Sequence, residues 1–431
     1  MGARDRPAIH WTYDAAAAEP DGAVGSARPE VVEAADGTLL VAGDRSLSAV
    51  DPATGNRFWA ETFEKRVAIE GTTSNAAIVS EGSRDVLGED PVTLVAVSLE
   101  SGTRVWDLRA DLSDTVVDDR TLFYRTDDTV TAVDSSTWNR LWRTTVSDAN
   151  ALVPDLLAHG LLGVGTVDTD TGGLVAPGAF VALDTTTGTR QWRSTDVDPR
   201  VGVNPYTNSD DPAWQILTDE VAVTSSRDRS LVAIDTTDGT LQWRFTPDRT
   251  LPVVRPLAAN DDYAVVGTFQ ATVVAQSVTF DSAADAVHLV TLDTQTCKWH
   301  SETGSYEPGT GAALRGGTVL IYDHGTIEAL TLSTGTQKWE FETSGTFSTR
   351  ETVSHVDDKF LTVCQGGTVY LVSSETGEPL WTFAGGNSSV GALQTAERLI
   401  VANHDSGDGV VYALDWSAGD DSNHRTRVYS G

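Results

Sequence analysis

The sequence predicts an all-β fold, a single closed β-propeller of four-stranded blades. Three observations lead there. An eleven-residue frame ending in Trp recurs along the chain, its Trp residues are spaced at blade-like intervals, and an alternating apolar run of strand length precedes each copy. The frame is clearest at Ala49–Trp59 (AVDPATGNRFW), Ala182–Trp192 (ALDTTTGTRQW) and Ala233–Trp243 (AIDTTDGTLQW). It returns at Ala96–Trp106, Ala132–Trp142, Ala329–Trp339 and Leu371–Trp381. Thr291–Trp299 (TLDTQTCKW) reads as a copy shortened by two residues. A ninth copy starts at Ala413 and meets the C-terminus before its Trp.

Successive Trp residues lie 47, 36, 50, 51, 56, 40 and 42 positions apart. Such a period belongs to a propeller blade. A sandwich would not repeat one Trp-bearing turn eight times, and a β-helix has a much shorter period. Each position of the frame has a physical task. The apolar run before it, such as Ser46–Val50 or Ser230–Ile234, is a strand with a buried face. The small Ala lets neighbouring sheets approach closely. The Asp or Ser at the third position can accept hydrogen bonds from its own turn's N–H groups. The Gly supplies the positive φ of a short hairpin loop. The Trp, four residues on, falls on the outer strand, where burial between blades is worth a few kcal/mol. A further strand lies upstream in each unit, for example Ala76–Val79, Leu161–Val164, Val221–Thr224 and Leu399–Ala402, and a shorter inner strand brings each unit to four.

The A-x-D-x-x-T-G-x-x-x-W frame resembles the repeat of the pyrroloquinoline-quinone-type (PQQ-like) propellers, and it covers nearly the whole chain. The resemblance implies the propeller fold. It implies less about activity, because such propellers include quinoprotein dehydrogenases, outer-membrane-assembly lipoproteins and sensor domains. In the dehydrogenases the quinone is sandwiched between a Trp floor and a vicinal Cys–Cys disulfide, with a calcium ion beside it. Here the cysteines are Cys297 and Cys364, so that disulfide cannot form and no cofactor-site residue carries over. The expected branch is the non-enzymatic one, resembling the assembly lipoproteins.

The last unit, 390–415, has three strands and lacks an outer one, while Ile9–Tyr13 is an unattached strand carrying Trp11. Pairing the two would close the ring and leave no propagating sheet edge. The count is then nine units, with eight as the near alternative; the unit containing Ala271–Asp285 and the irregular 291–299 turn is the weakest. The propeller is expected over 9–419, with 9–14 as the closing strand, 15–28 as an Ala/Gly/Pro-rich connector and 420–431 as a frayed tail.

Sixty-two acidic residues against 30 basic ones give a net charge of −32, and only Lys65, Lys298, Lys338 and Lys359 are Lys. At low ionic strength such self-repulsion weakens a compact state. At 1 M salt the Debye length is roughly 3 Å, and the repulsion is screened. The composition resembles that of extreme halophiles. It excludes disorder, since 40% of residues are hydrophobic and 12 are Trp. It also argues against nucleic acid as partner, which needs a basic footprint. No apolar run approaches the roughly 20 residues of a membrane span, and 1–10 lacks the apolar stretch of a signal peptide. The chain is therefore expected either to stay where it is made or to lack a leader in this form. The family resemblance favours an extracytoplasmic or cell-surface location.

Candidate chemistry is thin. Cys297 and Cys364 fit no zinc or CxxC spacing, and both are expected as buried free thiols. Asp168-Thr-Asp170-Thr-Gly172-Gly173 begins like a calcium loop, but Ala179 and Phe180 stand where the bidentate Glu belongs. Asn403–Gly409 is a second oxygen-rich turn of the kind that an Asp-rich composition produces by itself. His10, His159, His288, His300, His324, His355, His404 and His424 are scattered, with no HExxH pattern. No nucleophile elbow accompanies a strand–helix pattern. Gly172-Gly173, Gly316-Gly317, Gly366-Gly367 and Gly385-Gly386 fall in turns rather than phosphate loops. Trp138 takes the Gly position of its turn, and Trp214 and Trp416 lie outside the frame; these are gap-filling residues or exposed binding aromatics. The expectation is a monomeric, non-catalytic scaffold for a protein or ligand, with no catalytic, cofactor or metal residues, PQQ not expected and calcium undetermined. The alternative is a quinone- or small-molecule-dependent dehydrogenase using the central channel.

Overall fold

The computed structural model describes residues 7–20, 29–34, 36–82, 92–110, 114–167, 178–196, 215–216, 221–225, 230–246, 252–274, 277–301, 311–323, 326–343, 353–355, 360–365, 367–384, 390–395, 398–403 and 409–415. They form nine four-stranded antiparallel sheets and two 3-10 helices. Sheets 1 to 8 each use four consecutive strands: Glu30–Glu33 to Arg57–Thr62 (β2–β5), Val67–Thr72 to Arg104–Ala110 (β6–β9), Asp114–Asp118 to Arg140–Thr145 (β10–β13) and Ala149–Val153 to Arg190–Ser194 (β14–β17). The series continues with Gln215–Ile216 to Leu241–Phe245 (β18–β21), Pro252–Ala259 to Thr296–Ser301 (β22–β25), Gly311–Arg315 to Gln337–Glu342 (β26–β29) and Val353–His355 to Pro379–Ala384 (β30–β33). Sheet 9 breaks the rule: Val390–Gln394, Leu399–Asn403 and Val410–Leu414 (β34–β36) take Ile9–Asp14 (β1) as their fourth strand. In its register Trp11 stands opposite Ala413, as Trp192 stands opposite Ala182.

The chain divides into two compact units, one of 1–109 with 350–431 and one of 110–349. In the first, sheets 8, 9, 1 and 2 are consecutive neighbours; in the second, sheets 3 to 7 are. Between neighbours lie separate apolar cores. One joins Leu40, Leu47 and Ala49 of sheet 1 to Ala77, Val79 and Val97 of sheet 2, and another joins Phe180 and Trp192 of sheet 4 to Ala222 and Val232 of sheet 5. Leu39 and Val41 face the opposite core, shared with Ile400 and Val411 of sheet 9. Alternate residues of β3 (Leu39–Ala42) therefore enter two different cores, which is why the strand is buried throughout.

Two expectations are corrected. The frame in sheet 6 is not shortened. Gln295 donates its backbone N–H to Thr291 O at 2.8 Å and has φ 58°, as Gly188 donates to Asp184 O and has φ 68°. Leu289 stands opposite Trp299, so the full-length copy is Leu289–Trp299, with Thr291 in the Asp position and Gln295 in the Gly position. The neighbouring Asp293 invites the wrong alignment. Cys297 is an exposed free thiol, not a buried one, because the outer strand of its sheet is a free edge. Residues 21–28 of the connector and the 420–431 tail lie outside the described residues, and η1 (Ala15–Ala18) opens the connector.

Candidate functional site

The recurring turn between the third and fourth strands is the most elaborate local structure. Asp184 Oδ1 accepts from the backbone N–H groups of Thr186 and Thr187 and from the Thr187 hydroxyl. Asp51 and Asp134 repeat the arrangement, and in the turn of Asp235 a second carboxylate, Asp238, accepts from the N–H and hydroxyl of Thr240. These bonds stabilise the ionised form, so the Thr54, Thr187 and Thr240 hydroxyls hold Asp51, Asp184 and Asp238 below the usual carboxylate range. The Ser136 and Thr137 hydroxyls take Asp134 down to about 2.

The corresponding turns of sheets 1, 2, 4, 5 and 7 each receive an indole from the preceding sheet. Nε1 of Trp59 donates to Leu99 O at 2.7 Å, Trp142 to Thr185 O at 2.8 Å, Trp192 to Thr236 O at 2.8 Å and Trp299 to Leu332 O at 2.9 Å. Trp11 does the same from sheet 9 to Pro52 O at 2.9 Å. The ring then lies flat on the turn's Gly: a Cβ built on Gly239 would stand 2.5 Å from Trp192 Cε3. Gly is thus required twice, for its φ of +74° and for the indole it must admit. The turns are occupied by their own fold, and they act as fasteners between sheets.

Several charged side chains are fasteners too. Arg125, 8% exposed, pairs with Asp114 at 2.8 Å and donates to the carbonyl oxygens of Asp127 and Ala149, tying sheet 3 to sheet 4. Arg104 pairs with Glu61 at 2.8 Å, donates to Thr62 O and stacks on Phe63, tying sheet 2 to sheet 1. The Glu19 carboxylate accepts from the N–H groups of Asp44 and Arg45 and from the Ser46 hydroxyl, closing the turn between β3 and β4 (Ser46–Val50) over Gly43. On β2, Glu30 accepts from Ile69 N–H at 3.0 Å; desolvation raises its pKa and the charge of Glu70 adds to the shift, although its surface stays open to water.

The outer strands carry a feature that pattern reading misses. In sheet 1 Ala49 faces Trp59 but Val50 faces Arg57, so Phe58 is the extra residue of a β-bulge. Sheets 3 to 8 bulge at the same place, and in sheet 9 the extra residue is His10. A bulge residue on a free edge faces solvent. In the first unit the residues before Trp59 and Trp106 are apolar, and Phe58 is 62% and Val105 46% exposed on neighbouring sheets. At the same position Leu141 of sheet 3 is 50% exposed and Leu380 of sheet 8 is half-buried, while sheets 4 to 7 hold Gln191, Gln242, Lys298 and Lys338. The signal lay in the frame's tenth position, which strict alternation would have assigned to a packed face.

The other singled-out residues are dispersed. Trp138 is half-buried at φ 57° in its turn, and His159 is half-buried in η2 (Pro154–His159). Asn403 is buried in β35, and Gly316 and Gly317 make the open turn between β26 and β27 (Thr318–Asp323). His10 and His300 are exposed, and His300 stands opposite His288 across β24 (Ser277–Thr291) and β25 (Thr296–Ser301). His355 and Cys364 lie on β30 (Val353–His355) and β31 (Phe360–Gln365). Asp168–Gly173, Trp214, His324, Gly366, Gly385-Gly386, His404–Asp408, Trp416 and His424 fall outside the described residues. Among the described residues no group of three or more His, Cys, Asp and Glu side chains is placed to hold a metal ion, and no helix is long and apolar enough to cross a membrane.

The PQQ-like repeat family described as "Outer membrane protein assembly factor BamB" matches residues 8–115, 43–204, 92–339 and 323–424. The chain belongs to this family. No curated protein matches the sequence. Among solved structures it is similar to BamB from Moraxella catarrhalis (16% identity, 81% of this chain and 96% of that one, TM-score 0.48). It is also similar to quinohemoprotein alcohol dehydrogenase from Comamonas testosteroni (13%, 97% and 78%, TM-score 0.50) and to the computationally designed Ika8 protein (11%, 90% and 96%, TM-score 0.46). At these identities likeness speaks to the fold alone, that of a β-propeller built from PQQ-like repeats. A quinone does not fit the residues described. Cys297 is an exposed thiol on the outermost strand of sheet 6 and Cys364 is on the second strand of sheet 8, so no cysteine pair is available to stack on the cofactor.

Proposed function

We propose that this BamB-family chain is a non-catalytic scaffold that binds a protein partner, and that its nine sheets form one monomeric nine-bladed ring over 9–419, closed by β1. The observation that carries the reading is the family match over 8–424. The β1–β36 pairing, with Trp11 fastened to Pro52, supports closure. Phe58 and Val105 on free edges of adjacent sheets supply apolar contacts of the kind a partner buries, and an extended partner segment can add to such an edge. The charge of −32 supports work in molar salt, and the family description supports a site outside the cytoplasm.

Affinity capture in molar KCl tests the binding role. The tagged chain is expected to recover a defined partner that the double variant Phe58→Glu, Val105→Glu loses while keeping its melting temperature. Equal recovery by the variant would remove the edge surface from the proposal. Reduction of an acceptor dye with quinone, calcium and an alcohol or sugar would replace the scaffold by the dehydrogenase.

A further inference from the structure

Sheet 6 brings a thiol, an imidazole and a hydroxyl into one line. Cys297 Sγ, exposed on β25, lies 3.8 Å from Nδ1 of His288 on β24. On the far side of the ring, Nε2 lies 3.2 Å from Thr268 Oγ1, on β23 (Tyr263–Val274). Thr268 is buried, and its hydroxyl donates to Ala286 O at 3.1 Å. That proton being committed, Oγ1 meets the ring as an acceptor, so Nε2 carries the hydrogen and Nδ1 presents its lone pair to the sulfur. Phe245 and His300 flank the imidazole, each with its ring centroid 5.9 Å away. A nucleophile next to a base whose other face is held by a third group is the arrangement that activates a thiol. Phe245 belongs to sheet 5, but the Cys297–His288–Thr268 contacts stay within sheet 6 and fasten no sheet to another.

We propose that Cys297 is a thiol–disulfide exchange site, with His288 as its base, that accepts small soluble disulfides. In the resting state the S–H donates to Trp299 O at 3.2 Å. For reaction it turns to His288, whose Nδ1 takes the proton. The sulfur forms a bond to one sulfur of the disulfide while the S–S bond breaks. The departing thiolate recovers the proton from Nδ1, leaving a mixed disulfide on Cys297 and one free small thiol. No electrons enter or leave the pair of reactants. The exposed outer strand gives the second disulfide sulfur room to depart, which a buried cysteine would not.

The test uses the intact folded chain and 4,4′-dithiodipyridine, an uncharged disulfide insensitive to the acidic surface. Thiopyridone release at neutral pH is followed in molar KCl, and the labelled peptide is identified by mass spectrometry. Raising the thiolate fraction tenfold lowers its nucleophilicity about threefold, a net gain of about threefold. Cys297 is therefore expected to react at least about threefold faster than in His288→Asn, with Thr268→Val in between. It is also expected to react faster in the folded chain than in the same chain unfolded in urea, a comparison that needs no variant. A rate equal in folded and unfolded chains, or label arriving on Cys364 instead, would overturn the proposal. So would unchanged reactivity in a folded His288→Asn chain.

Discussion

Replacing Trp192 by Ala tests whether the docked indoles hold the sheets together. Trp192 is 6% exposed, packs 5.8 Å from Phe180 between ring centroids, and lies on Gly239 of the next sheet. Its N–H occupies Thr236 O at 2.8 Å. Truncating a buried Trp removes its transfer free energy and leaves a cavity, together about 3–5 kcal/mol. The carbonyl left without its partner adds to the loss, on the order of 1 kcal/mol. Trp192→Phe keeps a ring over Gly239 and gives up the hydrogen bond, so its expected loss is only about 1–2 kcal/mol. The measurement is urea unfolding in molar KCl, followed by circular dichroism. Native-state hydrogen exchange should place the weakening in the amides of Leu231–Asp235, because in a repeat architecture the loss belongs to one interface. An Ala variant losing less than about 1 kcal/mol would show that the indole fills space without fastening anything.

Three further outcomes are expected. Gln295→Gly should stabilise the chain by about 1 kcal/mol, since Gln295 holds φ 58° in the place Gly takes elsewhere; unfolding that shifts the other way would mean its side chain makes a contact worth more than the strain. Asp134 is held at about 2 against an ordinary 3.8, so the stability it contributes is present above the ordinary value and is lost as pH falls towards 2. In molar salt, where the changing net charge is screened, Asp134→Asn should flatten part of that acid limb, and an unaltered limb would argue against the hydroxyl bonds. The melting temperature should climb steeply with KCl up to the molar range, because 62 carboxylate-bearing residues repel one another at low salt; a flat dependence would remove the halophilic reading.

The fold was legible because a propeller writes its period into the chain. Trp, Gly and Asp recur together because each answers a local demand: an indole to bury, a positive φ, an acceptor for turn N–H groups. The closing strand was legible too, since β36 lacked an outer partner and Trp11 lacked a frame. Where a local demand was met by an unusual residue the reading slipped, as when Asp293 drew the frame two residues away from Leu289 and Gln295.

What the sequence by itself determined was the repeated unit, its strand order and the charge of the surface, all functions of near neighbours and composition. The tertiary structure decided which carbonyl each docked indole reaches, that Phe58 faces water beside a half-buried Trp59, and that His288 stands between Cys297 and Thr268 across three strands. The reason is register. A bulge or a one-residue slip turns a side chain from one face to the other, and long-range pairing fixes both without leaving a periodic trace in the chain.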